Sequence, residues 1–83
     1  MDMKEFVTKF ASLFDEVDPS EISENTDFKQ FAEWSSLSVL SLIAMIKLEC
    51  GVTLSGLAVN KCATVADVYA LINKNSLVRI HFL

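Results

Sequence analysis

The sequence predicts a single all-α domain, and three observations support this class. Hydrophobic residues make up 52% of the 83-residue chain, which is enough to build one small core. Only 2 glycines and 1 proline interrupt it, so residues that break helices are scarce. Apolar residues recur at intervals of three and four, as in amphipathic helices. We therefore expect a bundle of four helices, three long and one short.

The first helix is predicted over residues 2–17. Asp2, with Glu5 three residues later, can cap its start. Pro19 disfavours helical geometry in the residue before it, which sets the end of the helix near Asp18. Five side chains form one apolar stripe at helical spacing: Phe6, Phe10, Leu13, Phe14 and Val17.

A long connection follows, from Pro19 to about Trp34. An irregular segment of this length in a small domain is usually functional or anchored to the core. Four apolar residues are expected to anchor it: Ile22, Phe28, Phe31 and Trp34. Four acidic residues are expected to form a solvated surface: Glu21, Glu24, Asp27 and Glu33.

The central helix is predicted over residues 36–50. Ser35 is a favoured N-cap residue, and Gly51 is the residue favoured just past a helix end. The pair Ser35–Ser36 lies at the positive end of the helix dipole, where unpaired N–H groups favour a phosphate group, and it is our candidate site. At about 100° per residue, the core face gathers Val39, Leu40, Ile43, Ile46 and Cys50. The opposite side gathers Ser38, Ser41, Met45 and Glu49.

A short helix is expected near residues 56–61, and the last helix begins at a capping box of Thr64 and Asp67. Its apolar face consists of Val65, Val68, Leu71 and Ile72. Asparagines at 73 and 75 are expected to end this helix at about Lys74. We accordingly divide the chain into a domain over 1–75 and an apolar tail over 76–83, whose composition is strand-like and whose role is open.

The composition excludes several classes of function. With 11 acidic against 7 basic residues, the chain lacks the clustered positive charge of a nucleic-acid binder. Its only histidine is His81 in the tail, so a serine hydrolase triad is not expected. Cys50 and Cys62 with one histidine are too few ligands for a metal site, and we expect both thiols to be reduced. No signal peptide and no membrane span are apparent, which predicts a cytoplasmic protein.

Three segments of the chain resemble an acyl carrier protein. The first is Glu33-Trp34-Ser35-Ser36-Leu37 before the central helix, the second is Gly51-Val52-Thr53-Leu54, and the third is Ala63-Thr64-Val65-Ala66-Asp67-Val68. The resemblance covers roughly residues 3–74 and implies a four-helix bundle. It also implies that Ser36, followed by Leu37, is esterified by 4′-phosphopantetheine from coenzyme A. Ser35, the N-cap beside the site, stands where the family usually carries Asp.

The resemblance implies a function as well as a fold. The chain would be a monomeric phosphoprotein of fatty acid or polyketide biosynthesis that carries acyl groups as thioesters and is not itself an enzyme. Its partners would be a phosphopantetheinyl transferase and the acyl-loading and synthase enzymes. An alternative is an unmodified carrier-like domain that acts as a protein–protein adaptor. If the resemblance were chance, Ser36 would be an ordinary helix-start serine of an unrelated helical scaffold.

Partner recognition is expected along the exposed side of the central helix. Carrier proteins of fatty-acid synthesis resemble one another in an acidic second helix, whereas here Glu49 is offset by Lys47. We therefore predict an interface with little electrostatic character. The residues expected to form it are Ser38, Ser41, Met45 and Leu48.

Overall fold

The computed structural model describes the backbone of residues 1–81 and the side chains of residues 1–75. Over this range every regular secondary-structure element is a helix, which confirms the predicted class. The four α-helices are α1 (Met3–Ala11), α2 (Ser36–Cys50), α3 (Gly56–Asn60) and α4 (Val65–His81). Two single 3-10 turns, Pro19–Glu21 and Phe28–Gln30, lie in the connection between α1 and α2.

Helix α1 starts as predicted and ends six residues earlier than predicted. The Asp2 carboxylate accepts a hydrogen bond from the N–H of Glu5 at 2.8 Å, which confirms the cap. The helix ends at Ala11 because the next N–H groups are bonded differently. Those of Leu13 and Phe14 donate to carbonyls only three residues back, in 3-10 fashion. The predicted end near Asp18 is therefore wrong, although Phe14 remains buried beyond the helix.

The connection is anchored by the apolar residues that the sequence singled out. Ile22 and Phe28 are buried, and Phe31 and Trp34 pack against the core while remaining partly exposed. The connection is also hydrogen-bonded to the first residues of α4, which come much later in the sequence. The carbonyls of Glu24 and Thr26 accept from the N–H groups of Ala66 and Val65 at 2.8 and 3.3 Å. This backbone pairing fixes the loop against the start of α4.

Helix α2 has the predicted ends. Ser35 is its N-cap with extended backbone angles, and Gly51 closes it with φ 70°, a left-handed conformation that favours glycine. Its predicted core face is partly wrong. Ile46 is buried as expected, but Leu42 is the other buried residue and Leu40 is exposed. The buried face is therefore rotated by roughly 60° from the expected one.

The last two helices also begin as predicted. Helix α3 is a single short helix capped by Ser55, and the capping box at the start of α4 is present. Val65, Val68 and Ile72 are buried and Leu71 is half-buried, which confirms the predicted face. The predicted end near Lys74 is wrong, because α4 continues to His81. The Asn75 amide donates to the carbonyl of Leu71 at 2.8 Å, so this asparagine is satisfied inside the helix.

An aromatic cluster holds α1, the connection and α4 together. Phe10 contacts Phe6 edge-on at 5.9 Å between ring centroids and Phe28 at 5.1 Å, and Tyr69 of α4 packs on Phe6 at 5.6 Å. Full burial of each phenylalanine contributes about 1.5–3 kcal/mol. This cluster is the centre of the core. No helix within the described residues is both long and apolar enough to span a bilayer.

Candidate functional site

The start of α2 is held by a short network of serine hydrogen bonds. The Ser38 hydroxyl accepts from the N–H of Ser35 at 3.2 Å and donates to the carbonyl of Glu33 at 2.9 Å. Ser35 and Ser38 thus form a capping box across the first turn. The predicted N-cap position is confirmed, and Ser38 is an additional member that spacing alone did not indicate.

The residues before the serines are hydrogen-bonded to the segment that follows α1. The two carboxylate oxygens of Glu33 accept from the N–H groups of Asp15 and Glu16 at 3.0 and 2.7 Å. Trp34 packs edge-on against Phe28, with ring centroids 4.7 Å apart. Glu33 is therefore a structural clamp, and its assignment to a solvated acidic surface is wrong. The hydrogen bonds of Glu33 and the packing of the Trp34 indole together fix the position at which α2 begins.

Ser36 is the first residue of α2, and its side chain is exposed. Its hydroxyl has no hydrogen-bond partner among residues 1–75. Within the same range, the N–H groups of Ser36 and Leu37 have no acceptor, while that of Val39 already donates to the carbonyl of Ser35 at 3.1 Å. We call this first turn the open start of α2. It offers a free hydroxyl beside two free backbone donors at the positive helix end, which suits a phosphate group attached there.

The residues expected at a partner interface are only partly exposed. Ser41 and Leu48 face solvent, and so does Leu37 beside the site. Ser38 is half-buried and makes two hydrogen bonds. Met45 packs against the core, so its expected place on the outer face is wrong. Sequence reasoning also missed two members of the outer face, Leu40 and Ala44. Because both residues are apolar, the sequence favoured a core position for them. Only the rotational setting of the helix shows that they are exposed.

The chain's own thiols are poorly suited to carry an acyl group. Both Cys50 and Cys62 are unpaired. Burial raises the pKa of each thiol above its ordinary value, so less of the reactive thiolate forms at neutral pH. Both thiols are therefore less reactive than an exposed cysteine thiol.

The described residues thus form an all-α bundle with an exposed serine at an open helix start. Residues 4–72 match the family model described as a phosphopantetheine attachment site, so the chain belongs to this family. The family is defined by covalently attached 4′-phosphopantetheine. The match spans α1 to α3 and the first half of α4, up to Ile72. No curated protein matches the chain significantly.

Proposed function

We propose that the chain is an acyl carrier protein and that Ser36 is its attachment residue. The observation that carries this proposal is the open start of α2. Within the family match, Ser36 combines an exposed, unbonded hydroxyl with the neighbouring free N–H groups. Ser35 and Ser38 are occupied in the capping box instead. Leu37 completes the motif directly after the attachment residue.

The attachment step makes Ser36 the nucleophile toward coenzyme A on a separate transferase. The Ser36 oxygen forms a bond to the phosphorus next to the pantetheine half, and the bond from that phosphorus to the adenosine bisphosphate half breaks. The hydroxyl proton passes to the transferase, and adenosine 3′,5′-bisphosphate leaves. Two features of the chain assist, since the clamp of Glu33 fixes Ser36 in place and the free N–H groups stabilise the phosphodiester charge.

The attached arm supplies a thiol that holds an acyl group as a thioester and presents it to separate enzymes. Burial raises the pKa of the Cys50 and Cys62 thiols, which lowers the fraction of thiolate on the chain itself. The chain itself is proposed to catalyse nothing and to depend on a phosphopantetheinyl transferase and on acyl-loading and synthase enzymes of fatty acid or polyketide biosynthesis. The expected cytoplasmic location and monomeric state stay predictions, as does the division into 1–75 and 76–83.

The decisive test is intact mass after incubation with coenzyme A and a broad-specificity phosphopantetheinyl transferase. Wild type is expected to gain the mass of one phosphopantetheinyl group. Ser36→Ala is expected to gain none, whereas Ser35→Ala, the matched neighbouring serine variant, is still modified. Modification of Ser35, or of neither serine, would overturn the assignment. An unmodified chain that nevertheless binds carrier-dependent enzymes would instead be an adaptor.

A further inference from the structure

Helices α3 and α4 border an open groove on the surface of the bundle. The groove has a volume of about 450 Å³, and none of the described residues that line it belongs to α1 or α2. Its floor is apolar and consists of Leu57, Ala58, Cys62, Ala70 and Leu71. The start of α2, with Ser36, is therefore not part of this groove.

The core of the bundle does not use most of this apolar surface. Helix α3 supplies the core with Val59, which is buried, whereas 69% of Leu57 is exposed to solvent. On α4, Ile72 is buried, while Ala70 is exposed and Leu71 is half-buried. A single exposed leucine is ordinary, but an apolar groove between two helices is typical of an interaction site. Its burial against a partner would be favourable.

Lysines border the groove on both sides. Lys61 follows the last turn of α3 and Lys74 lies on α4, and both side chains are exposed. Neither forms a salt bridge among residues 1–75. Lys29 adds a third positive charge beside α3, since its ammonium donates to the carbonyl of Asn60 at 3.0 Å. Because the whole chain has a net charge of −4, the groove is a locally basic part of an acidic protein.

The other polar groups of the groove are hydrogen-bonded within the chain. The Asp67 carboxylate accepts from the N–H groups of Ala63 and Thr64 at 3.0 and 3.1 Å, and the positive end of α4 offsets its charge. The Ser55 hydroxyl accepts from the N–H of Ala58 at 3.1 Å. The lysine ammonium groups at the borders are therefore the polar groups that a partner can engage.

The open shape of the groove favours a helix over a small ligand. Leu57 and Ala70 are exposed, whereas pockets for small molecules bury about 70–90% of the ligand surface. An amphipathic helix that lies along such a groove covers it with its apolar side. From Asp67 to Lys74 the groove follows α4 for about 10.5 Å, at 1.5 Å per residue, which is the span of apolar residues at i, i+3 and i+7.

We propose that the groove between α3 and α4 binds an amphipathic helix of a partner protein that has acidic residues on both sides of its apolar stripe. The apolar stripe packs on Leu57 and Leu71, and the acidic residues pair with Lys61 on one side and Lys74 on the other. This interaction surface is separate from the proposed attachment residue Ser36 and does not depend on its modification.

The probe is a model peptide of about 15 residues, a length at which an isolated helix begins to be stable. It has leucine at i, i+3, i+4 and i+7 with glutamate on both sides, and a second peptide has lysine in place of each glutamate. Fluorescence anisotropy with the full, unmodified chain gives Kd at about 0.15 M salt, where exposed charges are screened within about 8 Å. The glutamate peptide should bind at least about tenfold more tightly than a scrambled peptide of the same composition.

Charge reversal tests the role of the lysines. Lys61→Glu combined with Lys74→Glu replaces two attractions by two repulsions, so it is expected to raise Kd for the glutamate peptide about tenfold and to lower Kd for the lysine peptide. Lys4→Glu combined with Lys47→Glu is the matched control, because both lysines are exposed and lie outside the groove. Equal Kd values for the two double variants would overturn the proposal.

A leucine substitution tests the apolar contact. Leu57→Ser should raise Kd for the glutamate peptide about fivefold or more, whereas Leu48→Ser, at another highly exposed leucine, should leave it unchanged. Coincident thermal melts would establish that all variants fold. If Leu57→Ser binds as tightly as wild type, the peptide does not pack in the groove and the proposal is wrong.

The two cysteines report where the peptide binds. Cys62 lies in the floor of the groove, whereas Cys50 is the last residue of α2 and lies outside it. The glutamate peptide in several-fold excess over Kd is expected to slow alkylation of Cys62 by iodoacetamide about fivefold and to leave the rate at Cys50 unchanged. Equal protection of both thiols would contradict binding in the groove.

Two other occupants of the groove have their own outcomes. If wild type sediments as a dimer that Leu57→Ser dissociates, the occupant is a second copy of the chain and the proposal is wrong. If decanoate protects Cys62 and the glutamate peptide does not, the groove binds a small amphipathic anion and the proposal is also wrong. Because the chain is tested unmodified, these results do not depend on whether Ser36 is the attachment residue.

Discussion

The starts of α2 and α4 both have a capping box, but they differ in how the N–H groups of the first turn are hydrogen-bonded. Each has a hydroxyl residue at the N-cap and a second polar residue three positions later, Ser38 in α2 and Asp67 in α4. The first turn of α4 is sealed, because Val65, Ala66 and Asp67 donate to Thr26, Glu24 and Thr64. The first turn of α2 leaves the N–H groups of Ser36 and Leu37 free within the described residues. The start of α4 satisfies its donors, whereas the start of α2 keeps donors available for the phosphate group that we propose is attached at Ser36.

The largest effect on stability is expected from replacing Asp67 of α4 with serine, the residue that α2 has at the equivalent position. The Asp67 carboxylate accepts from the N–H groups of Ala63 and Thr64 at 3.0 and 3.1 Å, and these hydrogen bonds lower its pKa. Asp67→Ser is expected to lower the melting temperature at neutral pH more than any single substitution at the start of α2. A hydroxyl carries no charge and cannot replace both bonds.

The pH dependence of this variant gives the control. Because the pKa of Asp67 is lowered by folding, its stabilisation is present above the ordinary carboxyl pKa and is lost as pH falls through the lowered value. The difference in melting temperature between wild type and Asp67→Ser should therefore shrink on acidification below about pH 4. A difference that stays constant from neutral to acidic pH would contradict this account of the sealed start.

The next effect is expected from Ser38→Ala at the equivalent position of α2. This variant loses the bond from the Ser35 N–H and the bond to the Glu33 carbonyl, and should cost about 1–2 kcal/mol in urea unfolding. Ser41→Ala is the matched control on the same helix, since Ser41 is exposed. Equal midpoints for the two variants would show that Ser38 does not hold the start of α2.

A smaller effect on stability is expected when a phosphodiester is attached at the open start of α2. Attachment of a phosphodiester at Ser36 places negative charge at the positive end of α2, which should stabilise the modified chain by about 0.3–1 kcal/mol at low ionic strength. Urea unfolding of the unmodified and modified protein at low and high salt measures this gain, which should diminish with salt. A modified chain no more stable than the unmodified one at low salt would argue against free donors at this helix end.

The smallest effect is expected at Ser35. Its own hydroxyl is exposed and lies 3.5 Å from that of Ser38, so Ser35→Ala should cost about 0.5 kcal/mol, the low end for a cap residue. Ser35→Asp should fold normally, because a carboxylate is an equally good cap. Urea midpoints measure both. A larger cost for Ser35→Ala than for Ser38→Ala would show that the Ser35 hydroxyl, rather than that of Ser38, holds the first turn.

Helix starts were predictable from the sequence because their causes are local. Asp2, Ser35 and Thr64 act within the first turn of their own helices, and Gly51 acts at the adjacent end. The end of α1 was not predictable from spacing, because Leu13 and Phe14 already bond in 3-10 fashion and the N–H groups of Asp15 and Glu16 then donate to Glu33, which is distant in sequence. A local pattern contains no information about that bond.

The rotational setting of α2 was not predictable for a different reason. Apolar residues occur on nearly every side of this helix, so spacing alone cannot distinguish the side of Leu42 from the side of Leu40. Packing against α3 and the core decides between them. The same ambiguity hid the exposure of Leu40 and Ala44, and it placed Met45 outside when it packs inside. The prediction of Ser36 as the attachment residue rests on the sequence and stays a prediction, whereas the free donors beside it could be found only in the structure.

The backbone pairing between the connection and α4 bears on how the chain folds. Thr26 and Val65 are about forty residues apart, and closing a loop of that length carries an entropic cost that grows only slowly with length. The contact is nevertheless non-local, and such contacts slow folding relative to those within a helix. The first turn of α4 can form its own capping box early. We expect the bonds from Val65 and Ala66 to the connection to form later, once the aromatic cluster has brought the connection into place.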